Sequence, residues 1–208
     1  MNSRLILALD VTDPAEATKV AKEAAPHLAF VKVNYPLVLS AGLGIVTEIS
    51  KSVPVICDFK VADIPNTNRM IAEAAYGAGA QGLIVHGFTG AESVSACKSV
   101  SEDKDLFVVI TMSHPGGGEF FDIDNFSIIA KQSGATGVVA PATRPEDIMS
   151  VREKVGDLTI IAPGVGAQGG SANDAIKAGA DYIIVGRSIY QSDNPAETAY
   201  QYSQSIED

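Results

Sequence analysis

The sequence contains few basic residues. Lysine and arginine together number 15, against 25 aspartate and glutamate residues, which gives a formal net charge of −10. Nucleic acids are bound through basic surfaces that neutralise phosphate groups, so this charge balance argues against nucleic acid as a partner. An acidic protein can still bind a small anion, but only through local backbone N–H groups and a few well-placed cations.

Cysteine and long apolar runs are also scarce. Cys57 and Cys97 lie far apart with no Cys-x-x-Cys spacing and no histidine cluster, which argues against structural zinc and predicts two buried, reduced thiols. The apolar stretch at the start of the chain reaches Asp10 too soon for a signal peptide, and no run approaches the length of a membrane helix. We therefore expect a cytoplasmic protein with no membrane partner.

Short apolar segments, by contrast, are abundant. The chain has 208 residues and is 46% hydrophobic, which suits one domain over residues 1–208. Eight segments rich in valine and isoleucine recur about every 25 residues, the length of one strand, one helix and two loops. They are nearly uninterrupted, as expected for strands buried on both faces. These segments are RLILALD (4–10), AFVKVN (29–34), VPVICDFK (53–60), QGLIVHG (81–87), LFVVITMS (106–113), TGVVAPA (136–142), LTIIAPG (158–164) and DYIIVGR (181–187).

Segments rich in alanine, glutamate and lysine lie between the apolar ones. DPAEATKVAKEAA (13–25) has Asp13 as its predicted N-cap and Pro14 as its first helical residue, and residues 144–155 and 194–206 begin in the same manner. Eight alternating strands and helices predict a (β/α)8 TIM barrel, with a doubly wound open sheet as the alternative. We favour the barrel because polar residues end nearly every strand, and in a barrel those ends meet at one mouth.

Four charged residues lie at the ends of the first three predicted strands. Asp10 ends the first strand and Lys32 the second. Asp58 and Lys60 end the third, where side chains two residues apart share a face. We predict two acid–base pairs at the barrel mouth, with a lysine between carboxylates that stays protonated and can donate a proton. The alternative is that the charges only neutralise one another at the rim.

Asp63 is a separate case because it follows the third strand and directly precedes the sequence IPNT. It therefore need not face the mouth of its own barrel. Taken alone, its simplest interpretation is a cap for the helix that begins near Pro65 and Asn66.

The last two units carry a pattern typical of a phosphate site. In barrels of this class, the loops after strands seven and eight commonly bind phosphate through backbone N–H groups. The glycines of APGVGAQGGS (162–171) let the backbone approach an anion, and Arg187 in VGRS (185–188) supplies a forked cation. The first segment is also long and rich in small residues, as a closing lid would be. The alternative is a flexible surface loop beside a rim arginine.

Together these segments resemble the orotidine 5'-monophosphate decarboxylase family, in particular its short microbial members. LALDV, VKVNYPL, DFKVADIPNT, MSHPG, APGVGAQGG and IIVGRSIY fall in the family's order over essentially the whole chain. The resemblance implies conversion of orotidine monophosphate to UMP and carbon dioxide, the last step of de novo pyrimidine nucleotide synthesis, with no metal or cofactor. Its most specific element is the pattern D-x-K-x-x-D-I-x-x-T, matched by Asp58, Lys60, Asp63, Ile64 and Thr67.

The resemblance also implies a role for each charged residue. Lys60 would protonate C6 of the pyrimidine as the carboxylate leaves, and Asp58 would lie beside that carboxylate. Lys32 and Asp10 would contact the ribose hydroxyls and hold the charge network. Asp63 would complete the catalytic set from the partner subunit, so the resemblance implies a homodimer.

Further residues would bind the substrate. Ile64 and Thr67 would reach the partner's site together with Asp63, and Ser113 would hydrogen-bond the pyrimidine edge. The remaining substrate-binding residues are Gln168, Gly186 and Arg187 at the 5'-phosphate, Tyr190 nearby, and Pro163 and Val165 in the loop after the seventh strand.

Two other functions stay open at this point. Magnesium-dependent sugar-phosphate decarboxylases and aldolases share the fold and the D-x-K-x-x-D pattern, but they place an acidic metal ligand at the end of the second strand. Lys32 occupies that position here, where a cation would repel magnesium. A non-catalytic nucleotide-binding barrel would keep a phosphate site beside a degraded charge cluster, whereas all four charged residues are present in this chain.

Overall fold

The computed structural model describes residues 3–114, 116–117 and 119–206. Eight parallel strands form a closed barrel in chain order. The barrel closes where Leu5 of the first strand lies opposite Ile183 of the last. The predicted (β/α)8 fold is therefore confirmed, and the open-sheet alternative is wrong. The strands are β1 (Leu5–Leu9), β2 (Phe30–Asn34), β3 (Val55–Val61), β4 (Gly82–His86), β5 (Asp105–Val109), β6 (Gly137–Val139), β7 (Thr159–Pro163) and β8 (Tyr182–Val185).

Helices connect the strands, and two units contain more than one. Two helices follow β2, and two follow β8. No helix in the described ranges is both long and apolar enough to cross a membrane. The helices are α1 (Pro14–Ala24), α2 (Tyr35–Ala41), α3 (Gly44–Ser50), α4 (Pro65–Gly77), α5 (Ala91–Lys98), α6 (Ile123–Gln132), α7 (Pro145–Val155), α8 (Ala172–Lys177), α9 (Arg187–Tyr190) and α10 (Pro195–Gln204), with short 3₁₀ turns at Ala25–His27 and Gly87–Thr89.

The apolar runs are uninterrupted because each strand is buried on both faces. In β1, Leu5, Leu7 and Leu9 belong to the core between strands and helices. Ile6 and Ala8 alternate with them and belong to the core inside the barrel. Both faces therefore exclude water, so neither face needs polar side chains until the strand ends.

Two of the three predicted helix starts have a side-chain cap, whereas Arg144 before α7 makes no such hydrogen bond. The Asp13 carboxylate accepts a 2.8 Å hydrogen bond from the Glu16 N–H, and Pro14 is the first residue of α1. Asn194 caps α10 in the same way by accepting from the Glu197 N–H. These side chains satisfy N–H groups that have no partner within the helix.

β5 and β6 are shorter than their apolar runs predict. β6 ends at Val139, and Pro141, which follows shortly, has no N–H to continue a ladder. β5 ends at Val109, which lies opposite Val139, because beyond this point the neighbouring strand has ended. Ser113 therefore lies in the loop after β5 rather than on the strand.

Candidate active site

A cavity of about 190 Å³ opens at the carboxyl end of the barrel. Every strand, or the loop that follows it, contributes to the lining, as expected where eight strand ends converge. Ten of the residues predicted from the sequence line this cavity: Asp10, Lys32, Asp58, Lys60, Ser113, Pro163, Val165, Gln168, Gly186 and Arg187.

Asp58 lies between two lysine side chains. Lys32 Nζ donates to Asp58 Oδ2 at 2.7 Å, and Lys60 Nζ donates to Asp58 Oδ1 at 2.7 Å. Asp58 and Lys32 are buried, whereas the Lys60 side chain is 37% exposed. Burial by itself raises the pKa of Asp58, but the charges and hydrogen bonds of the two lysines outweigh burial and lower the pKa to about 2. Asp58 is therefore an anion at neutral pH.

The prediction of two separate acid–base pairs is wrong, because both lysines share one carboxylate. Asp10 instead accepts a 2.6 Å hydrogen bond from Asn34 Nδ2. The strand register explains this: Ala8 lies opposite Lys32, so Asp10, two residues further along, is level with Asn34. Asp10 still acts on Lys32 through space. Burial lowers the pKa of Lys32, but the negative charges of Asp58 and Asp10 raise it above its ordinary value.

β3 is irregular where it carries Lys60. Cys57 lies opposite Leu83 and Val61 opposite Val85, so three residues of β3 match a single residue of β4. Lys60 has a φ of 42° and is the only non-glycine residue with positive φ in the described ranges. Such a conformation costs an L-residue about 1–2 kcal/mol. The bulge leaves the Lys60 side chain on the cavity side with Asp58, as predicted, but on a strained backbone rather than a regular strand.

The glycines after β7 form a hydrogen-bonded loop. Gly164, Gly166 and Gly169 have positive φ. The Gly170 N–H donates to the Gly164 carbonyl, the Gly166 N–H to Gly170, and the Gly169 N–H to Gly166. A Cβ at Gly170 would lie 2.7 Å from the Gly164 carbonyl oxygen, so this folding requires glycine. The expectation that the loop presents its N–H groups to an anion is therefore wrong for Gly166, Gly169 and Gly170.

Two side chains on this part of the cavity are suited to an anion. Gln168 and Arg187 are exposed and line it, and Arg187 begins α9 directly after Gly186. Among the described residues, the guanidinium of Arg187 takes part in no salt bridge. A free guanidinium fork beside an amide is well suited to phosphate oxygens.

The cavity's carboxylates are poorly arranged for a divalent cation. Asp58 is bonded to two lysines, and Asp10 is bonded to an asparagine amide. Within the part of the chain that the structure describes, no three His, Cys, Asp or Glu side chains form a group that could hold a metal ion. We assign no residue of this chain to metal binding.

Known proteins match this chain over nearly its whole length. A family model described as "Orotidine 5'-phosphate decarboxylase / HUMPS family" matches residues 3–202. The chain belongs to this family. A Methanococcoides burtonii protein named orotidine 5'-phosphate decarboxylase is 56% identical over 202 residues, which are 95% of this chain and 94% of that protein. One of the same name from Thermococcus kodakarensis is 49% identical over 209 residues, or 98% and 97% of the two chains.

Solved structures of orotidine 5'-monophosphate decarboxylases agree with the fold. The Methanocaldococcus jannaschii enzyme complexed with the inhibitor BMP aligns with a TM-score of 0.94 at 43% identity, covering 100% of both chains. The Pyrococcus horikoshii enzyme aligns with a TM-score of 0.90 at 46% identity, covering 98% and 99%. The resemblance inferred from the motifs is confirmed, and so is the expectation of an enzyme of the carbon–carbon lyase class.

The decarboxylase family motif is divided between two places in the structure. Asp58 and Lys60 line the cavity, whereas Asp63, Ile64 and Thr67 do not. Asp63 borders an adjoining surface depression that also touches Lys60. Ile64 is 64% exposed. The N-cap of α4 is Ile64, and the Asp63 carboxylate accepts from the Ile64 N–H at 2.7 Å, so the interpretation of Asp63 as the helix cap is wrong.

Ser113 and Tyr190 occupy different positions relative to the cavity. Ser113 lines it from the loop after β5, where its carbonyl accepts a hydrogen bond from the Thr143 hydroxyl at 3.3 Å. Tyr190 lies in a neighbouring depression that shares Asp10 with the cavity. Burial and the charge of Asp10 raise the pKa of Tyr190, whereas Arg187 lowers it, so Tyr190 lies near both charges.

Sequence reasoning missed two parts of the site in this family member. The first part is Asn34, which bonds Asp10. Asn34 lies two residues after Lys32 on β2, so its side chain is on the same face as that of Lys32, and this spacing could have identified it. The second part is the apolar floor of the cavity. No composition signal separates its residues from the rest of the core; they are Ile84, Val109, Val139 and Ile184.

Proposed function

We propose that this protein decarboxylates orotidine 5'-monophosphate to UMP and carbon dioxide. The observation that carries the proposal is the Asp58 carboxylate held at 2.7 Å by two lysines, with Lys60 turned towards the cavity. The names of the relatives described above support the choice of substrate. The last step of de novo pyrimidine nucleotide synthesis is the corresponding place in metabolism, and the cytoplasm is the proposed compartment.

The charge of the cavity suits a substrate with a phosphate and a carboxylate. Three cationic and two anionic side chains line it, a balance of +1 in a chain of net charge −10. We place the 5'-phosphate at Gln168, Gly186 and Arg187, with Tyr190 nearby. The ribose hydroxyls lie against Asp10 and Lys32, and the pyrimidine edge against Ser113. Pro163 and Val165 pack beside the bound nucleotide.

The chemical step uses Lys60 as an electrostatic stabiliser and as a proton donor. The bond between C6 and the carboxylate breaks, carbon dioxide leaves, and the electron pair stays on C6. The Lys60 ammonium, fixed by Asp58, stabilises this developing negative charge because it is in place before the charge forms. Its Nζ–H then transfers a proton to C6, and the neutral amine regains a proton from water. Every proton and electron pair is accounted for without a cofactor.

We further propose a homodimer in which Asp63, Ile64 and Thr67 complete the partner's site. Support comes from their position outside the chain's own cavity and from the exposure of Ile64. Large apolar side chains that follow β2, β3 and β4 are also exposed, and their burial would favour association. They are Tyr35, Leu39, Met70 and Phe88.

An ultraviolet assay with orotidine monophosphate in the presence of a metal chelator tests the proposed reaction. We expect the absorbance change of decarboxylation at the same rate with and without chelator. Turnover that requires added magnesium would favour the sugar-phosphate class of the family. Tight binding of UMP without turnover would favour a non-catalytic nucleotide-binding barrel.

A further inference from the structure

Asn68 is a fully buried polar side chain on the first turns of α4. Its exposed fraction is 0%. The side-chain oxygen accepts a 2.9 Å hydrogen bond from the backbone N–H of Asp63. The side-chain amide donates a 3.1 Å hydrogen bond to the carbonyl of Ser93 in α5. Asn68 thus connects the segment before α4 to the neighbouring helix.

The orientation of the Asn68 amide follows from its two partners. A backbone N–H can only donate and a carbonyl can only accept, so rotating the amide by 180° would create two mismatches. Both partners belong to the backbone, which means that no change of rotamer elsewhere can replace them. The hydrogen bond between the Asp63 N–H and the Asn68 side-chain oxygen therefore fixes the main chain at Asp63 and not only its side chain.

We infer that Asn68 is a positioning residue that holds Asp63 in the place from which it acts on the partner subunit's substrate. This inference depends on the proposed function and on the shared site. Among the described residues, the Asp63 carboxylate bonds only the next N–H, that of Ile64, so its direction follows the local backbone. The Asp63 N–H bond to Asn68 ties that backbone to the buried core. A misplacement of about 1 Å in such a group can cost about 100-fold in rate.

The first test compares Asn68→Ala with a matched control. We expect Asn68→Ala to lower kcat/KM by about 10- to 100-fold. The control is Ser133→Ala, at a buried residue, which also removes side-chain hydrogen bonds to backbone carbonyls, those of Ile129 and of Ala91 in α5; within the described ranges Ser133 makes no hydrogen bond to Asp63. Ser133→Ala is expected to lower stability while leaving kcat/KM within about twofold of the wild type. Wild-type kcat/KM in Asn68→Ala would overturn the inference.

Subunit mixing shows where the defect acts. Mixed with Asp58→Ala subunits, Asn68→Ala should regain one complete site per mixed dimer, because the intact Asp63 then comes from the other chain. Mixed with Asp63→Ala subunits, it should regain none, because both lesions damage the same segment. If Asn68→Ala only loosened the fold, mixing it with Asp58→Ala and mixing it with Asp63→Ala would give the same result. Recovery with Asp63→Ala, or its absence with Asp58→Ala after verified exchange, would contradict the inference.

Two measurements keep the test decisive if Asn68→Ala does not fold. In the wild type, the Asp63 amide should be protected from hydrogen exchange although the residue is exposed; exchange at the rate of a free peptide would overturn the inference. The isosteric Asn68→Asp keeps the acceptor for the Asp63 N–H, so its kcat/KM should stay above that of Asp63→Ala; a folded Asn68→Asp as inactive as Asp63→Ala would contradict the inference. The proposed function fails separately, if the wild type does not turn over substrate, and the shared site fails if Asp63→Ala is fully active.

Discussion

At the scale of single residues, the site consists of one anion shared by two cations. Lys32 is buried and bonded to Asp58, whereas Lys60 reaches the same carboxylate from the cavity side and is partly exposed. The two lysines therefore have different functions. We propose that Lys32 fixes the carboxylate and contacts the ribose, whereas Lys60, the more exposed of the two, reaches the reacting carbon.

Replacing Lys60 by alanine should abolish turnover and preserve ligand binding. The variant loses both charge stabilisation and the proton donor, so we expect kcat to fall by about 10⁴-fold or more. UMP does not undergo the reaction, and its Kd, measured by calorimetry, should change by less than about tenfold. Lys19→Ala, in the exposed face of α1, is the control and should leave kcat unchanged. A kcat near the wild-type value in Lys60→Ala would exclude the proton-donor role.

The ionisation of Asp58 should make stability depend on pH in the acid range. Its pKa is about 2 in the folded chain against an ordinary value of 3.8. Because the pKa is lowered in the folded chain, the ionised carboxylate stabilises the fold at pH values above its ordinary pKa. This stabilisation is lost as the pH falls towards 2. The difference corresponds to about 2 kcal/mol. Urea unfolding of wild type and Asp58→Asn should therefore show a gap at pH 7 that narrows between about pH 4 and pH 2. A constant gap would contradict this assignment.

At the scale of elements, the sequence predicted what depends on local patterns and missed what depends on register. Apolar runs and caps identified the strands and the start of α1 at Pro14, because each signal is contained in a few neighbouring residues. The partner of Asp10 depends on how β1 is aligned with β2, and no local pattern encodes that alignment. The hydrogen bond from Asn68 to the Ser93 carbonyl depends on how α4 packs against α5, so it was missed for the same reason.

The bulge in β3 yields a prediction about backbone strain. At Lys60 the positive φ penalises any side chain, so Lys60→Gly should be more stable than Lys60→Ala by about 1 kcal/mol. At Lys19 in the regular helix α1 the order should reverse, with glycine less stable than alanine by about 1 kcal/mol. Urea unfolding of the four variants measures both differences. The same order at both positions would show that residue 60 carries no strain.

At the scale of the whole molecule, closure of the barrel brings the distant sequence motifs together. β8 lies beside β1, so Arg187 after the last strand borders the same cavity as Asp10 after the first. Closure does not bring in Asp63, which follows β3 but lies outside the cavity. A single barrel thus contains the charge cluster together with Gln168 and Arg187, and the proposed dimer would supply the remaining carboxylate.

Mixing two inactive variants tests the proposed dimer directly. Asp58→Ala removes the carboxylate inside the cavity, and Asp63→Ala removes the one that the partner contributes. In a mixed dimer, one site combines the intact Asp58 of one chain with the intact Asp63 of the other, while the second site lacks both. Random exchange of equal amounts should therefore restore about a quarter of wild-type activity. Mixing Asp58→Ala with Lys60→Ala is the control: both lesions lie inside the cavity of their own chain, so no complete site forms. Equal activity in the two mixtures, once exchange is verified by native mass spectrometry with one variant isotopically labelled, would place Asp63 in its own chain's site.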